Sequence, residues 1–421
     1  MTTVTLEDIS ELLFSETAPS IAASITGPIA ISTSSVVHGR GLLATRDVAV
    51  GECLFVTPPT VAAPLGDVMR VLGKKSLEQV AEIILLKHMK RALRQTMKHQ
   101  AASFMFLTEG ASQKDNVNLP VVSNEALQLG ICLGQAEPAQ VWWKGPVSDE
   151  TLLGIMRHNA FGPDFHNYAR MEANISSHKA YHRILGMYPL AAIINHSCQP
   201  NAVRVFCGEI MLVHACAPIK EGEEIVWSYI PPTQSFPTRQ ALLLGKFGFA
   251  CQCQRCTVEG KLGTLHDQLE ASLSAINQSN LRMSRKNLEP HVKFLEQTLA
   301  DQTNEVRHYL RTSYLNVYLN YMNASLLHEK THEKETTNLA MQLHLALSVS
   351  HNASTEHISI LHLCYDLAQN KSFWIEQLKR AHMTRYGSMG HNLQHVRQSM
   401  QHTKGILRSL DGLQRRQWGF L

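Results

Sequence analysis

Basic residues are missing from the start of this sequence, where no Lys or Arg precedes Arg40. Acidic residues do occur there, at Glu7, Asp8, Glu11 and Glu16. Because secretory signals need a basic segment and mitochondrial transit peptides need arginines, neither is expected. Long apolar runs are missing too: runs such as Leu190–Ile194 are far shorter than the about 20 residues that span a bilayer. We therefore expect a cytoplasmic or nuclear protein, or one in both compartments, that does not bind membranes.

A strong excess of charge is also lacking. The net charge of +4 is too small by itself to indicate a nucleic-acid partner. Apolar residues make up 44% of the 421 residues, so a sizeable core can form and wholesale disorder is not expected. The length allows roughly two to three domains.

Several common catalytic patterns are absent. The chain has no Ser/His/Asp signature, no phosphate-binding glycine loop and no His-Glu-x-x-His motif. His178 and His182 have the spacing of neighbours on one helix face and offer two metal ligands, but no third ligand is indicated.

Strand-like and helix-like segments occur in separate blocks. Short apolar runs punctuated by glycine predict strands within residues 31–63 and 187–230. Apolar residues at helical spacing predict helices from about residue 76 to 106 and from about 263 to 410. Helices of the last block can pair as in a tetratricopeptide-type array. The predicted fold class is α+β, with β-rich material split by a helical insert and an all-α C-terminal domain.

Cysteines are concentrated in Cys251, Cys253 and Cys256, three of nine in the chain. In a reducing compartment such a cluster indicates a metal site rather than disulfides. Tetrahedral zinc needs a fourth ligand, for which Cys198 is the natural candidate. The alternative is that the clustered cysteines are buried small apolar residues.

Three motifs follow one another between residues 195 and 256. They are Asn195-His-Ser-Cys-Gln-Pro-Asn201, Gly222-Glu-Glu-Ile-Val-Trp-Ser-Tyr229 and Phe249-Ala-Cys-Gln-Cys-Gln-Arg-Cys256. In this order they resemble the SET and post-SET segments of protein lysine methyltransferases, and most closely the SET/MYND (SMYD) group. Further similar stretches are Gly186-Met-Tyr-Pro189, Asn159-Ala-Phe161 and His38-Gly-Arg-Gly41. The resemblance covers about residues 31–63 and 155–258, and the helical tail matches only in kind.

The resemblance implies a division of the chain into six segments. These are an N-terminal extension (1–30), the first part of the SET domain (31–63), a helical insert (64–154), the catalytic SET core (155–230), a post-SET zinc segment (231–258) and a helical, tetratricopeptide-like domain (259–421). It also implies S-adenosylmethionine as cofactor and one structural zinc on Cys198, Cys251, Cys253 and Cys256. We expect a monomer.

The resemblance assigns cofactor contacts to nine positions. They are His38, Gly39, Arg40, Gly41, Asn159, Asn195, His196, Tyr229 and Phe249. Glycines without a Cβ let the backbone approach a ligand closely, although a lone Gly-x-Gly is also a common hairpin turn. Phe249 would stack on the adenine ring, while Asn159, Asn195 and His196 would hold polar groups. The alternative for His196 is a buried histidine with satisfied hydrogen bonds.

Tyr229 matches the catalytic tyrosine of the family. Methyl transfer is an in-line displacement by a neutral amine on a sulfonium carbon, which needs alignment and a site that tolerates a deprotonated lysine. Burial lowers the pKa of an amine, and a hydroxyl near the methyl group orients amine and cofactor electrostatically. No side-chain nucleophile is required.

Two departures limit the resemblance. Residues 64–150 contain only Cys132, so a MYND zinc finger is absent and the partner binding associated with it is not inherited. Ala192 and Trp227 stand where serine and an aliphatic residue are usual, which changes the expected shape of the substrate channel.

The insert carries a basic stripe at helical spacing. Its members are Lys87, Lys90, Arg91, Arg94 and Lys98. The stripe is either a solvated face or a contact for an acidic partner such as nucleosomal DNA or an acidic histone surface. The helical domain after about residue 260 is expected to wall one side of the substrate cleft and to select protein substrates.

The predicted function is transfer of methyl from S-adenosylmethionine to a lysine of a histone or non-histone protein. One alternative is a catalytically weak SET-fold scaffold, although Asn195, His196, Tyr229 and Phe249 are all intact. Another is a zinc-containing nucleic-acid-binding protein, which would explain the cysteines but not the Asn-His-Ser-Cys segment.

Overall fold

The computed structural model describes most of the chain up to Tyr386. The described residues are 26–34, 39–64, 67, 70–71, 77–94, 98–105, 107, 125–133, 146–162, 183–207, 210–278, 284–328 and 333–386. They fall into two compact units. The first unit takes its described residues from 1–195, 201–226 and 384–389, and the second from 196–200 and 227–383.

Ten strands are described, all of them before residue 228. They are β1 (Ile29–Ser34), β2 (Gly39–Ala44), β3 (Cys53–Thr57), β4 (Val61–Pro64), β5 (Ala160–Phe161), β6 (Arg183–Met187), β7 (Asn195–His196), β8 (Ala202–Cys207), β9 (Ile210–Ala215) and β10 (Glu224–Trp227). They form three small sheets with the orders β1-β2-β10-β7, β3-β9-β8 and β4-β6-β5. The first two sheets therefore combine strands from both predicted β-rich stretches, whereas the third combines β4 with β6 and β5, which lie almost entirely before the second stretch.

Pairing within the first sheet brings two distant motifs together. β2 lies antiparallel to both β1 and β10, and Glu224 and Ile225 are opposite Leu43 and Leu42. A turn closed by the bond from Glu223 N to Lys220 O (2.9 Å) leads into β10. Gly222 occupies the third position of this turn with φ 77°, a conformation that glycine adopts without steric cost.

Helices make up most of the remaining described residues. They are α1 (Leu77–Arg94), α2 (Lys98–Met105), α3 (Glu125–Cys132), α4 (Asp149–Asn159), α5 (Pro189–Ala192), α6 (Phe236–Phe247), α7 (Gln254–Glu259), α8 (Thr264–Gln278), α9 (Arg285–Ala300), α10 (Asn304–Ser313), α11 (Leu315–His328), α12 (Glu333–Ser350), α13 (Thr355–Leu367) and α14 (Lys371–Tyr386). The α+β class is confirmed, and the described residues from 228 to 386 contain helices but no strand.

Two helix boundaries interrupt the apolar patterns of the sequence. Helix α4 ends at Asn159, because Ala160 and Phe161 pair with Met187 and Gly186 as strand β5. Leu310, Tyr314, Val317 and Tyr321 are all buried. Those residues nevertheless belong to two helices, since α10 ends at Ser313 and α11 begins at Leu315.

A buried histidine pair in the helical region should make stability depend on pH. His357 Nδ1 accepts a bond from Ala353 N (3.1 Å), so His357 Nε2 carries the proton that faces His344 Nδ1 at 2.9 Å. Burial, together with His344 and His351, lowers the pKa of His357 to about 3. Below the ordinary histidine pKa of about 6.5 the unfolded chain therefore binds a proton that the folded chain does not.

We expect stability to be fully present above about pH 6.5 and to fall toward pH 3, by up to about 1.4 kcal/mol per pH unit for this group. Urea unfolding near pH 7.5 and near pH 5 measures the difference. His357→Gln should weaken the dependence without abolishing it, because burial also lowers the pKa of His214 to about 4. An equal pH dependence in variant and parent would contradict the assignment.

Candidate functional site

Asn195 joins two strands of the first unit through its side-chain amide. Its Nδ2 donates to Arg40 O at 2.9 Å and to Glu224 Oε1 at 2.6 Å. β2 supplies Arg40 and β10 supplies Glu224, so the amide ties together the beginning of the Gly-Arg-Gly stretch and the Gly-Glu-Glu stretch. The Glu224 carboxylate was not among the expected site residues, although it lies within a quoted motif.

Gly41 is packed against this hydrogen-bonded pair. A Cβ on Gly41 would overlap the Glu224 carboxylate and lie 3.2 Å from Asn195 Nδ2. The family resemblance implies that a glycine here lets the backbone approach a ligand. The structure gives a second reason: the absent Cβ leaves room for the carboxylate that receives the Asn195 amide.

Gly41→Ala should therefore displace Glu224 and weaken the Asn195 bridge. We expect a stability loss of about 1–3 kcal/mol, the usual cost of overpacking a well-filled site. Gly245→Ala is a matched control, because Gly245 lies inside α6 and a Cβ there meets nothing within 4 Å. Removing a helical glycine should stabilise by up to about 1 kcal/mol. Thermal melts of both variants measure the contrast, and a Gly41→Ala protein as stable as the parent would contradict the packing argument.

The other expected cofactor residues of the first unit lie near strand and helix ends. Arg40 follows Gly39 at the start of β2, and burial lowers its pKa to about 10, which leaves it protonated at neutral pH. Asn159 is buried at the end of α4, where its Nδ2 donates to Ile155 O (2.8 Å). Phe161 packs edge-on against Tyr188 with ring centroids 6.1 Å apart. His38 lies outside the described residues, as do His178 and His182.

His196 connects the expected catalytic tyrosine to the cysteine cluster within the second unit. Its Nδ1 accepts the Tyr229 backbone N–H at 2.9 Å, so in neutral histidine the proton resides on Nε2. Nε2 faces Cys198 Sγ at 3.3 Å, the geometry of an N–H donating to sulfur. Because protein groups engage both ring nitrogens, His196 offers a ligand its backbone rather than its ring.

Aromatic rings surround the Tyr229 side chain. The His196 ring centroid lies 5.2 Å from that of Tyr229 and 5.9 Å from that of Phe249. Phe247, at the end of α6, comes within 5.0 Å of the Tyr229 centroid. Sequence reasoning missed Phe247, because its only signal was proximity in the chain to Phe249.

The four predicted metal ligands come together. The Sγ atoms of Cys198, Cys251, Cys253 and Cys256 all lie within 4.8 Å of one another. Tetrahedral zinc–thiolate bonds of about 2.3 Å place the sulfurs about 3.8 Å apart, so the spacing suits one ion. The Gln240 side chain fixes the loop by accepting from Cys251 N and donating to Cys251 O, both at 2.9 Å.

The four thiols of the cluster are not equivalent. Hydrogen bonds from Cys251, Cys253 and Cys256 hold the pKa of the Cys198 thiol well below its usual range, whereas the hydrogen bonds with Cys198 raise the pKa of Cys251 and of Cys256. By contrast, burial raises the pKa of the isolated Cys53, Cys132, Cys216 and Cys364 to about 12. Those four are neutral thiols, as expected of core cysteines.

The basic stripe lies along a groove of about 870 Å³ in the first unit. Lys87, Arg91 and Arg94 are exposed beside the apolar Val71 and Ile83. Lys90 is instead bound to Asp149 at 2.5 Å. The side chain of Lys98 is outside the described residues. Three of the five stripe residues therefore present charge to solvent.

Comparison with known proteins agrees with the motifs. Residues 39–230 match the family model described as SET domain. Histone-lysine N-methyltransferase ASHR1 from Arabidopsis thaliana is 47% identical over 77 residues, which cover 18% of this chain and 16% of that relative. SET domain-containing protein SmydA-8, isoform A, from Drosophila melanogaster is 28% identical over 276 residues, covering 55% of this chain and 57% of that relative. The expected resemblance to a SET domain of the SET/MYND-like group is confirmed.

Solved structures give a weaker likeness. The crystal structure of the SET domain of LSMT bound to lysine and AdoHcy is 15% identical, covers 92% of this chain and 88% of that chain, and has a TM-score of 0.32. The chain spans less than two thirds of the length of each curated relative named above. Among the described residues, no helix is both long and apolar enough to cross a bilayer.

Proposed function

We propose that the chain methylates lysine side chains of proteins with S-adenosylmethionine as methyl donor, on the basis that residues 39–230 match the SET-domain family model. The arrangement around Tyr229 carries the proposal. A buried histidine holds the Tyr229 backbone, aromatic rings flank its side chain, and the same histidine contacts a cysteine of the metal cluster. Such a rigid setting suits a hydroxyl that must orient two reactants.

The proposed cofactor residues are those of the sequence prediction: His38, Gly39, Arg40, Gly41, Asn159, Asn195, His196, Tyr229 and Phe249. Bound S-adenosylmethionine would supply an electrophilic methyl on a positively charged sulfur. The Asn195 amide and the Arg40 carbonyl are held in place by their mutual hydrogen bond, which supports a role in binding polar groups. Phe249 is half-buried beside His196 and offers a ring face for stacking.

Tyr229 is the proposed catalytic residue. A lysine amine must be neutral to form the new N–C bond, and a desolvated site with aromatic walls favours the neutral amine. The Tyr229 hydroxyl would accept or donate hydrogen bonds that align the amine with the methyl carbon. The lysine nitrogen would form the N–C bond as the S–C bond breaks in the same displacement, which leaves the sulfur neutral, and the methylated ammonium would lose its proton to solvent before any further transfer.

One structural zinc on Cys198, Cys251, Cys253 and Cys256 completes the proposal. Four sulfur ligands leave no open coordination position, so the ion would fold this segment rather than react. It would also fix Cys198, on which the orientation of the His196 ring depends.

We place the contact with a protein substrate on helix α12. Met341, Leu345 and Val349 are spaced four residues apart on α12 and are 41–44% exposed. At the end of this stripe, Val349 O accepts from Gln199 Nε2 (3.2 Å), one residue after Cys198. An exposed apolar stripe beside the Asn-His-Ser-Cys segment suits recognition of a protein surface.

The test is transfer of labelled methyl groups from S-adenosylmethionine to a cell extract, with mass spectrometry of the labelled lysines. Label on lysine is expected, and cofactor binding without any transfer would favour the alternative of a SET-fold scaffold. Leu345→Lys separates the roles: activity on an intact protein substrate should fall several-fold more than activity on a peptide from it. Equal losses would exclude α12 as the recognition surface.

The acidic partner and the location are part of the same proposal. The exposed Lys87, Arg91 and Arg94 support binding of an acidic surface, histone or non-histone. A cytoplasmic or nuclear monomer is proposed from the sequence.

A further inference from the structure

A fully buried ion network lies beside the cysteine cluster. Arg239 of α6, Arg255 of α7 and Glu259 at the end of α7 have 0% exposure. The Arg239 guanidinium contacts the Glu259 carboxylate directly, and Arg255 Nε lies 3.4 Å from Glu259 Oε2. Two positive charges therefore share one negative charge in the interior, which leaves a net positive charge buried.

Uncompensated charge in a protein interior is strongly unfavourable. Among the described residues, the remaining contacts of the two guanidiniums are with neutral groups or with the cysteine segment. Arg255 Nη1 donates to Cys198 O at 3.2 Å, and Arg239 Nη2 lies 3.9 Å from Cys256 Sγ. The excess positive charge thus faces the sulfur cluster.

A zinc ion bound by four thiolates has the complementary excess, since four negative charges outweigh the two of the metal. Glu259, despite its burial, has its pKa lowered by Arg255 and Arg239, and it stays ionised at neutral pH. The network therefore carries one net positive charge, and it faces the two net negative charges of the zinc-loaded cluster.

We propose that Arg239 and Arg255, held in place by Glu259, are positioning residues that set how tightly the cysteine cluster retains its metal. The inference rests on the proposed zinc site and adds residues outside its ligand set. Partners beyond the ligands commonly change metal affinity by about 10- to 100-fold. Arg239 is the stronger determinant, because it approaches a ligand sulfur directly.

The network also reaches the helices that follow. Ser313, the last residue of α10, donates to Glu259 Oε1 (2.7 Å) and accepts from Arg239 Nη1 (3.0 Å) and Arg255 Nη2 (2.7 Å). A purely structural reading is that the charges serve only to attach α10 to α6 and α7. The two interpretations predict different rates of zinc release when the charges and the hydrogen bonds of the network are changed separately.

Substitutions in the full-length, zinc-loaded protein separate charge from attachment. Arg239→Met removes the net positive charge of the network, and the double variant Arg239→Met with Glu259→Gln restores it through Arg255 alone. Ser313→Ala removes three hydrogen bonds without changing any charge. The measurements are the rate of zinc release to a chromophoric chelator and the thermal midpoint, neither of which requires methyl transfer.

We expect Arg239→Met to release zinc about tenfold faster than the parent or more. The double variant should recover part of this loss, because Arg255 keeps the net positive charge but does not replace the Arg239 contact with Cys256 Sγ. Ser313→Ala should lower the thermal midpoint with zinc release close to that of the parent. The proposal is overturned if the double variant releases zinc as fast as Arg239→Met, or if Ser313→Ala and Arg239→Met accelerate release equally.

Glu259→Gln covers the case in which Arg239→Met fails to fold. It raises the positive charge facing the cluster, so zinc release should be no faster than from the parent, and faster release would contradict the proposal. A parent protein that binds no zinc would instead overturn the metal assignment itself, which keeps the two failures distinct.

Discussion

Replacing Tyr229 by Phe is expected to reduce methyl transfer by roughly 10²- to 10³-fold, with cofactor affinity nearly unchanged. The substitution removes one hydroxyl and leaves the ring among His196, Phe247 and Phe249. It also leaves the hydrogen bond that the Tyr229 backbone N–H donates to His196 Nδ1. The loss should therefore appear in the rate of the chemical step, because the hydroxyl acts mainly on the alignment of the transition state.

Tyr321→Phe is the matched control for this experiment. It removes a hydroxyl that bonds to Arg285 and Glu335 in the helical region, so transfer should stay at the parent level. Single-turnover rates and a cofactor titration of both variants give the comparison. Unchanged turnover in Tyr229→Phe would show that the tyrosine is not the orienting group.

Replacing Cys253 by Ser should bring the zinc content well below one ion per chain. Structural zinc contributes folding free energy on the order of 10 kcal/mol, and loss of one thiolate removes much of it. Residues 240–258 should then loosen, because Cys251, Cys253 and Cys256 hold this segment against Cys198. Metal analysis and hydrogen exchange of that segment measure the two effects.

Cys364→Ser provides the comparison for the metal experiment. Cys364 is buried in α13 and does not belong to the cluster of four thiols, so it serves as a buried cysteine outside the proposed site. Its replacement should leave the zinc content unchanged whatever it does to stability. Full zinc stoichiometry in Cys253→Ser would refute the ligand assignment.

Deleting the helical region after about residue 260 would not separate its expected role in substrate selection from a role in catalysis. Ser313 bonds to Glu259, Arg239 and Arg255, so removing α10 would strip a buried ion network of its partners. Surface substitutions such as Leu345→Lys avoid this damage. They change only what the helical region presents to a substrate.

The sequence alone predicted the proposed chemistry of the site and determined the class of the fold. The Cys-x-Cys-x-x-Cys motif predicted three zinc ligands and the Asn-His-Ser-Cys motif predicted the fourth. Cysteines that cluster in a reducing compartment usually bind metal rather than form disulfides. The same motifs indicated Tyr229 and the SET domain, since local composition and order are retained in the linear chain. Glycine turns and alternating apolar runs likewise predicted the strands β8, β9 and β10.

Tertiary structure alone decided how those residues are held. Asn195 and Arg40 are 155 positions apart, and Ser313 and Glu259 are 54 apart, so no period or spacing predicts that they meet. The bonds of His196 to Tyr229 N and Cys198 Sγ depend on the direction of one ring, which a sequence motif does not specify. The buried charge on Arg239 and Arg255 has the same origin: arginines are ordinarily exposed, and only the packing of α6, α7 and α10 removes these two from water.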